Sequence, residues 1–187
     1  NLAKRVFGTD NPIENEYLKK FLVAAVRRML RPGTQVDSML VLYGPKQGEG
    51  KTSFVRHLFA PWSLHQMPSF SGRDASHALT GCWGIELAEL EAIIRTETTT
   101  VKEFLTRNRD DYRQFGNGEK VSNLRTCVFI GTTNENDFLR DSTGNRRFWP
   151  IEVRKAIDLA WLQEHKNAIW AAALALAEDK NFPHWFT

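Results

Sequence analysis

Between residues 15 and 29, apolar side chains recur at helical spacing. Leu18, Phe21, Leu22, Ala25, Val26 and Met29 fall on one stripe, and Pro32-Gly33 ends the helix they predict. The pattern then changes. A short apolar run over 38–44 closes on Gly44 and predicts a buried strand. A glycine-rich loop follows over 44–50, and a helix is predicted over 51–59, with Phe54, Val55 and Leu58 on one face and Pro61 beyond its end. Residues 61–81 hold no sustained period, so irregular chain is expected there, with a short helix at 74–79. A second strand is predicted at 82–87. A helix is predicted at 88–107, although the threonines at 98–100 lower its propensity. Residues 109–120 read as a polar turn or hairpin. The strongest strand is expected at 126–130, closing on a polar tip. A basic turn over 141–153 leads into a last strand, and 158–179 is a strongly apolar amphipathic helix.

Strands alternating with helices predict an α/β layered fold with a mainly parallel central sheet flanked by helices. The expected layout is a helical lead-in over 1–34, a core over 35–155 and a helical segment over 156–187, together one compact domain. Ligands of such sheets sit beyond the carboxyl ends of the strands. Because each polar cluster follows an apolar strand candidate, the clusters are expected to converge on one edge. The 187 residues suffice for one sizeable core, and 42% hydrophobic with 25% charged content is ordinary for a globular chain. A net charge of +3 is compatible with a nucleic-acid partner without requiring one. Cys82 and Cys127 stand far apart in no metal-binding pattern, which points to a reduced, cytoplasmic compartment. The sequence has no apolar run of membrane-spanning length, so no membrane partner is expected. The chain does not begin with Met, so it is read as a fragment of something longer.

The stretch "LYGPKQGEGKTS" carries the clearest chemistry. It ends in Gly50-Lys51-Thr52, as a phosphate-binding loop does, but Gly44 lies one residue farther from Gly50 than the usual spacing allows. Gly44, Gly48 and Gly50 let backbone approach phosphate oxygens, Lys51 would bridge the terminal phosphates, and the Thr52 hydroxyl, followed by Ser53, would hold Mg²⁺. The extra residue, at Pro45–Lys46, is expected only to bulge the start of the loop. A glycine turn with a solvated lysine is the bland alternative, and the strand before and helix after argue against it.

"CWGIELAELE" supplies carboxylates. Glu86 falls late in the predicted strand and reads as the metal-side acid. Glu89 falls just past it and is the preferred water-activating base. Acids beginning a helix would give the same pattern, so the two roles stay open. "CVFIGTTNEND" brings Thr132, Thr133 and Asn134 to a strand end, where an amide can orient an attacking water; these residues are also ordinary turn formers. "TGNRRFWP" sets Arg146 and Arg147 in a short turn. One of them could reach a neighbouring subunit's terminal phosphate, and one could simply pack on Phe148 and Trp149. Between 101 and 120, Lys102, Arg107, Arg109, Arg113 and Lys120 alternate with Tyr112 and Phe115. Cations with interleaved rings suit a single-stranded nucleic acid, while Asp110, Asp111 and Glu119 dilute the charge enough to leave a solvated loop as the competing account.

Together, "LVLYGPKQGEGKTSFVRHL", "GCWGIELAELEAI", "KEFLTRNRDDYRQ" and "CVFIGTTNENDFLRDSTGNRRFWPIEV" resemble the virulence-associated protein E family, itself similar to superfamily 3 and phage primase-helicases. The resemblance covers residues 35–175, and "ELAELE" and "TGNRRFWP" are its most specific parts. It implies an AAA+-like P-loop NTPase core of superfamily 3 helicase type. Lys51 and Thr52 match its phosphate loop, Glu89 its Walker B acid, Asn134 its sensor, and Arg146 or Arg147 its arginine finger. Lys102, Arg109 and Arg113 fall near its DNA-contacting segment. The expectation that follows is a Mg²⁺- and ATP-dependent DNA helicase or translocase, assembled as a ring, expected as a hexamer, on single-stranded or forked DNA during replication of a phage or mobile element. Two alternatives keep the loop but change the job. One is a nucleotide-gated DNA-binding assembly factor without unwinding activity, and the other a P-loop phosphotransferase.

Overall fold

The computed structural model describes residues 1–67, 69–113, 118–135 and 145–186. Its helices are α1 (Leu2–Phe7), α2 (Pro12–Leu30), α3 (Lys51–Phe59), α4 (Gly72–Ala78), α5 (Leu90–Thr106) and α6 (Leu159–Glu178). Its strands are β1 (Met39–Tyr43), β2 (Ser63–Leu64), β3 (Gly84–Leu87), β4 (Arg109–Arg113), β5 (Lys120–Leu124), β6 (Val128–Thr133) and β7 (Phe148–Glu152). Five strands form one parallel sheet in the order β2-β3-β6-β1-β7, and β4 pairs with β5 in a separate antiparallel hairpin.

The period-2 alternation of the strands sorts the core into two layers. Leu40 and Leu42 of β1, Val128 and Ile130 of β6, and Trp149 and Ile151 of β7 face one side, where α1, α2, α3 and α6 cover them. Met39, Val41, Phe129 and Phe148 face the other, against α4 and α5. Strands buried on both faces read as unbroken apolar runs, which is why 38–44 stands out in the sequence. Local chemistry fixes the helix ends: Asn11 caps α2 through a bond from the Ile13 amide with Pro12 at the first position, and Asp158 caps α6 through the Trp161 amide.

Several sequence expectations shift. The strand expected at 126–130 runs from Val128 to Thr133, so Thr132 and Thr133 lie inside it and are buried. Periodicity undervalues threonine there, because a hydroxyl with a partner can enter a core. Within the irregular stretch 61–81, two residues form the edge strand β2, too short to leave a pattern. The 109–120 turn is part of the β4–β5 hairpin, whose Arg109 pairs with Leu124. Phe115 and residues 141–144 lie outside the described residues.

The expected convergence on one edge also fails in part. In a parallel sheet, segments leaving strands gather at one edge and segments entering them at the other. The loop after β1, the acids after β3 and Asn134 after β6 share the carboxyl edge. The hairpin enters β6 and the Arg146–Arg147 turn enters β7, so both lie at the opposite edge. A five-residue strand puts the two edges on the order of 15 Å apart.

One buried cation secures the hairpin's base. Arg28 of α2 is 0% exposed and donates to the carbonyls of Cys127 (2.9 Å) and Arg107 (3.0 Å), just before β6 and just after α5. Burial lowers its pKa to about 10. Arg125 completes the base with a two-pronged ion pair to buried Asp110, at 2.6 and 2.7 Å.

Candidate functional site

The carboxyl edge holds a cleft of about 390 Å³, lined by residues 47–53, by Ala88, Glu89 and Glu91, and by Thr132, Thr133 and Asn134. The phosphate-loop candidate forms its floor. Gly48 and Gly50 take φ of 80° and 88°, which only glycine adopts without strain, and they turn the chain into α3. Gly50 caps α3 with no side-chain hydrogen bond, which leaves the first-turn amides of a nine-residue helix without a capping side chain and the positive end of its dipole facing the cleft. Ser53 sits in that first turn and lines the cleft.

Lys51 does not extend into solvent. Its ammonium donates to the carbonyls of Gly44 (2.9 Å) and Lys46 (3.2 Å) and lies 3.6 Å from Glu49 Oε2. The longer loop therefore does more than bulge at its start. It turns the Lys46 carbonyl inward and tucks in the buried Glu49, whose Oε2 has no hydrogen-bond partner among the described residues. Gly44 is tightly packed as well: a Cβ there would meet Glu49 Oε2 and the Val153 carbonyl at 2.8 Å each. Glu49 stands in plain sight in "GEGKT", but motif spacing gives no reason to expect a buried acid beside the lysine.

Glu86 is 1% exposed and sits at the centre of a polar cluster. Its Oε1 accepts from the hydroxyls of Thr52 (2.6 Å) and Thr132 (2.9 Å), while its Oε2 lies 3.1 Å from His65 Nδ1. Three segments distant in sequence thus meet on one carboxylate, which satisfies the requirement that a buried charge be hydrogen-bonded.

Glu89 is different. It is exposed at the rim, precedes α5, and adopts φ 51° and ψ 46°, the one positive φ at a non-glycine position among the described residues. Such a conformation costs roughly 1 kcal/mol or more and is often kept where function needs it. Glu91, in the first turn of α5, lines the same cleft with a buried Oε2 that has no hydrogen-bond partner among the described residues. It is the third acid of "ELAELE", and position alone does not single it out. Asn134 follows the end of β6 as an exposed residue of the cleft.

The cleft therefore gathers Gly48, Gly50, Lys51, Thr52, Ser53, Glu89 and Asn134, while Glu86 reaches it through its bond from the lining Thr52 hydroxyl and Gly44 through its bond from Lys51. It does not gather Arg146 or Arg147. These line a second hollow of about 410 Å³ at the opposite edge, with the segment 34–38, Trp149 and His184–Phe186. The Trp149 indole donates to the Arg146 carbonyl (3.1 Å) and fixes the turn; Arg146 is exposed, while Arg147 Nε is buried with no hydrogen-bond partner among the described residues.

The basic segment is also split. Arg109, Asp111 and Arg113 alternate on the exposed face of β4, and Lys120 is exposed on β5. Tyr112 falls on the other face with Asp110. There its ring meets His77 edge-on, and its hydroxyl accepts from Asn123 (3.3 Å). The structure thus corrects the picture of Tyr112 as a free stacking ring. Arg107 caps the end of α5 with its guanidinium over Phe104, and Lys102 lies on α5 itself.

Among the described residues no three His, Cys, Asp or Glu cluster as a metal cage, and no helix is long and apolar enough to cross a membrane. Burial raises the thiol pKa of Cys82 and pushes that of Cys127 up to about 11, so neither is a poised nucleophile.

A family model described as the virulence-associated protein E-like domain matches residues 1–187. Among solved structures, the apo NrS-1 C-terminal region (305–718) is similar at a TM-score of 0.58 and 18% identity, over 98% of this chain and 46% of that one. An A-form apo structure of the same region gives 0.56 at 15% identity, over 94% and 48%. The chain thus spans a little under half the length of these neighbours, and the likeness is one of fold. No curated protein matches it.

Proposed function

The chain belongs to the virulence-associated protein E-like domain family, and on that premise we propose that it is a P-loop ATPase of the superfamily 3 helicase type, acting on DNA in replication of a phage or mobile element. One observation carries the proposal: the Thr52 hydroxyl and the buried Glu86 carboxylate are hydrogen-bonded at 2.6 Å directly beneath a glycine loop that ends in Lys51.

The donor set fits a magnesium nucleotide. Mg²⁺ is typically held by one or two carboxylates together with substrate phosphates and waters, so a full protein cage is not required. Thr52 and Glu86 would hold the ion, which would neutralise charge on the terminal phosphates. The glycine loop and the α3 amides would cradle the phosphates, and Lys51 would exchange its loop carbonyls for them. Glu89, on the rim and free of a capping bond, would take the proton of the attacking water, and Asn134 would orient that water. The arginines stand on the edge away from their own cleft, so in this reading they serve the nucleotide of a neighbouring subunit in a ring. Such guanidiniums contribute charge stabilisation that ties turnover to assembly.

The hairpin's mounting supports coupling to DNA. It hangs between α5, which starts at the Glu89 rim, and β6, which ends at Thr133 just before Asn134. The seventeen residues of α5 give a rod about 25 Å long. Rearrangement at the cleft thus has two stiff routes to Arg109 and Arg113. The decisive experiment is ATP turnover with and without single-stranded DNA, measured across a size-exclusion profile. DNA-stimulated turnover in an oligomeric fraction is expected; a phosphorylated small molecule formed without DNA would instead favour a phosphotransferase.

A further inference from the structure

Glu86 has two oxygens, and the loop and β6 use only one. Both threonine hydroxyls bond Oε1, while Oε2 has a single partner among the described residues, His65 Nδ1 at 3.1 Å. His65 Nε2 in turn lies 3.0 Å from Ser63 Oγ. The Glu86 side chain is 0% exposed and that of His65 27% exposed, so the imidazole closes the carboxylate off from solvent. Strand pairing explains the meeting. Ser63 registers with Gly84 and Leu64 with Ile85 on parallel strands, so the residue that follows the edge strand arrives beside Glu86.

We propose that His65 is a positioning residue for Glu86, holding its carboxylate so that Oε1 stays turned toward the Thr52 hydroxyl where a divalent cation would be bound. This rests on the ATPase reading above. An ionised carboxylate only accepts hydrogen bonds, so Nδ1 donates. In the neutral ring Nε2 is then left to accept from the Ser63 hydroxyl, which fixes the tautomer. The arrangement is the outer support that metal-site ligands commonly require, and its loss typically costs roughly 10- to 100-fold in metal affinity. A ring that merely anchored the edge strand would be replaceable by any side chain of similar bulk, whereas a positioning ring needs its N–H.

Binding of a fluorescent ATP analogue, titrated with MgCl₂, separates these roles. His65→Leu keeps bulk and removes the donor, while His65→Asn restores an N–H near the Nδ1 position. The expected result for His65→Leu is a Mg²⁺ midpoint raised roughly tenfold, with metal-free nucleotide affinity at the wild-type value. His65→Asn should return the midpoint to within about twofold of wild type, well short of that loss. Equal midpoints for His65→Leu and wild type would overturn the proposal, as would His65→Asn behaving like His65→Leu. If His65→Leu fails to fold, His65→Asn and Ser63→Ala, read together, still decide it: a raised midpoint in the first with none in the second refutes the chain of bonds. Wild-type protein showing no Mg²⁺-dependent binding, with Lys51→Ala indistinguishable from it, would instead withdraw the ATPase reading itself.

Discussion

The two edges of the parallel sheet are built in opposite ways. At the carboxyl edge, Lys51 and Glu86 are each held by internal hydrogen bonds, and acidic groups surround them among the described residues: an oxygen of Glu49 that lacks a hydrogen bond but lies 3.6 Å from Lys51, an oxygen of Glu91 without one, and the exposed Glu89. At the other edge, the described residues carry arginines: exposed Arg146, Arg147 with an Nε that lacks a hydrogen bond, and Arg109 and Arg113 on the exposed face of the hairpin. One edge gathers the cleft; the other carries charge that its own chain does not bring there. A head-to-tail association of copies would bring the two together, and repeated interfaces of that type close into a ring when the rotation between copies closes, or extend as a filament when it does not.

The sharpest way to break this comparison is at the arginines. Replacing Arg146 and Arg147 with Ala should lower ATP turnover by about 10³-fold or more while leaving nucleotide affinity intact. Mixing that variant with Lys51→Ala protein should restore part of the activity, and no recovery at any mixing ratio would sever the two edges functionally. Next in size is Glu89→Gln, expected to cost roughly 10²- to 10⁴-fold in turnover with nucleotide still bound. A variant that stops hydrolysing yet keeps its DNA-dependent function would point to an assembly switch. Lys51→Ala should weaken nucleotide binding by roughly 10- to 100-fold, the worth of one charge-assisted hydrogen bond. Calorimetric titration giving wild-type affinity would refute the loop assignment. The smallest effect is expected at the hairpin. Arg109→Ala with Arg113→Ala should flatten the dependence of log affinity for single-stranded DNA on log salt by roughly 0.7 for each phosphate those guanidiniums neutralise. An unchanged slope would take the hairpin out of the DNA path.

Much of the carboxyl edge is legible in the sequence because its parts are contiguous. Strand, glycine loop and helix lie within residues 38–59, and "ELAELE" announces its carboxylates. What spacing cannot show is which acids are buried. Glu86 and Glu89 are three residues apart, yet one is 1% exposed and the other stands on the rim, because the first is in the strand and the second follows its end. Glu49 and Glu91 sit inside "GEGKT" and "ELAELE" with nothing in the spacing to mark their buried oxygens, and His65 belongs to no motif. Tyr112 reads as a free ring from composition, which cannot tell which face of a strand a side chain takes.

By itself the sequence determined the alternation of strands and helices, the parallel sheet and the glycine-rich loop with its lysine and threonine, all of which depend on periodicity or on neighbours in the chain. Only the tertiary structure decided that the hairpin and the arginines stand across the sheet from the loop, and that Thr52, His65 and Thr132 share the one carboxylate of Glu86. Those facts follow from strand order and register, which long-range pairing sets: β1 lies between β6 and β7, its partners from far along the chain, and no local pattern encodes that neighbourhood.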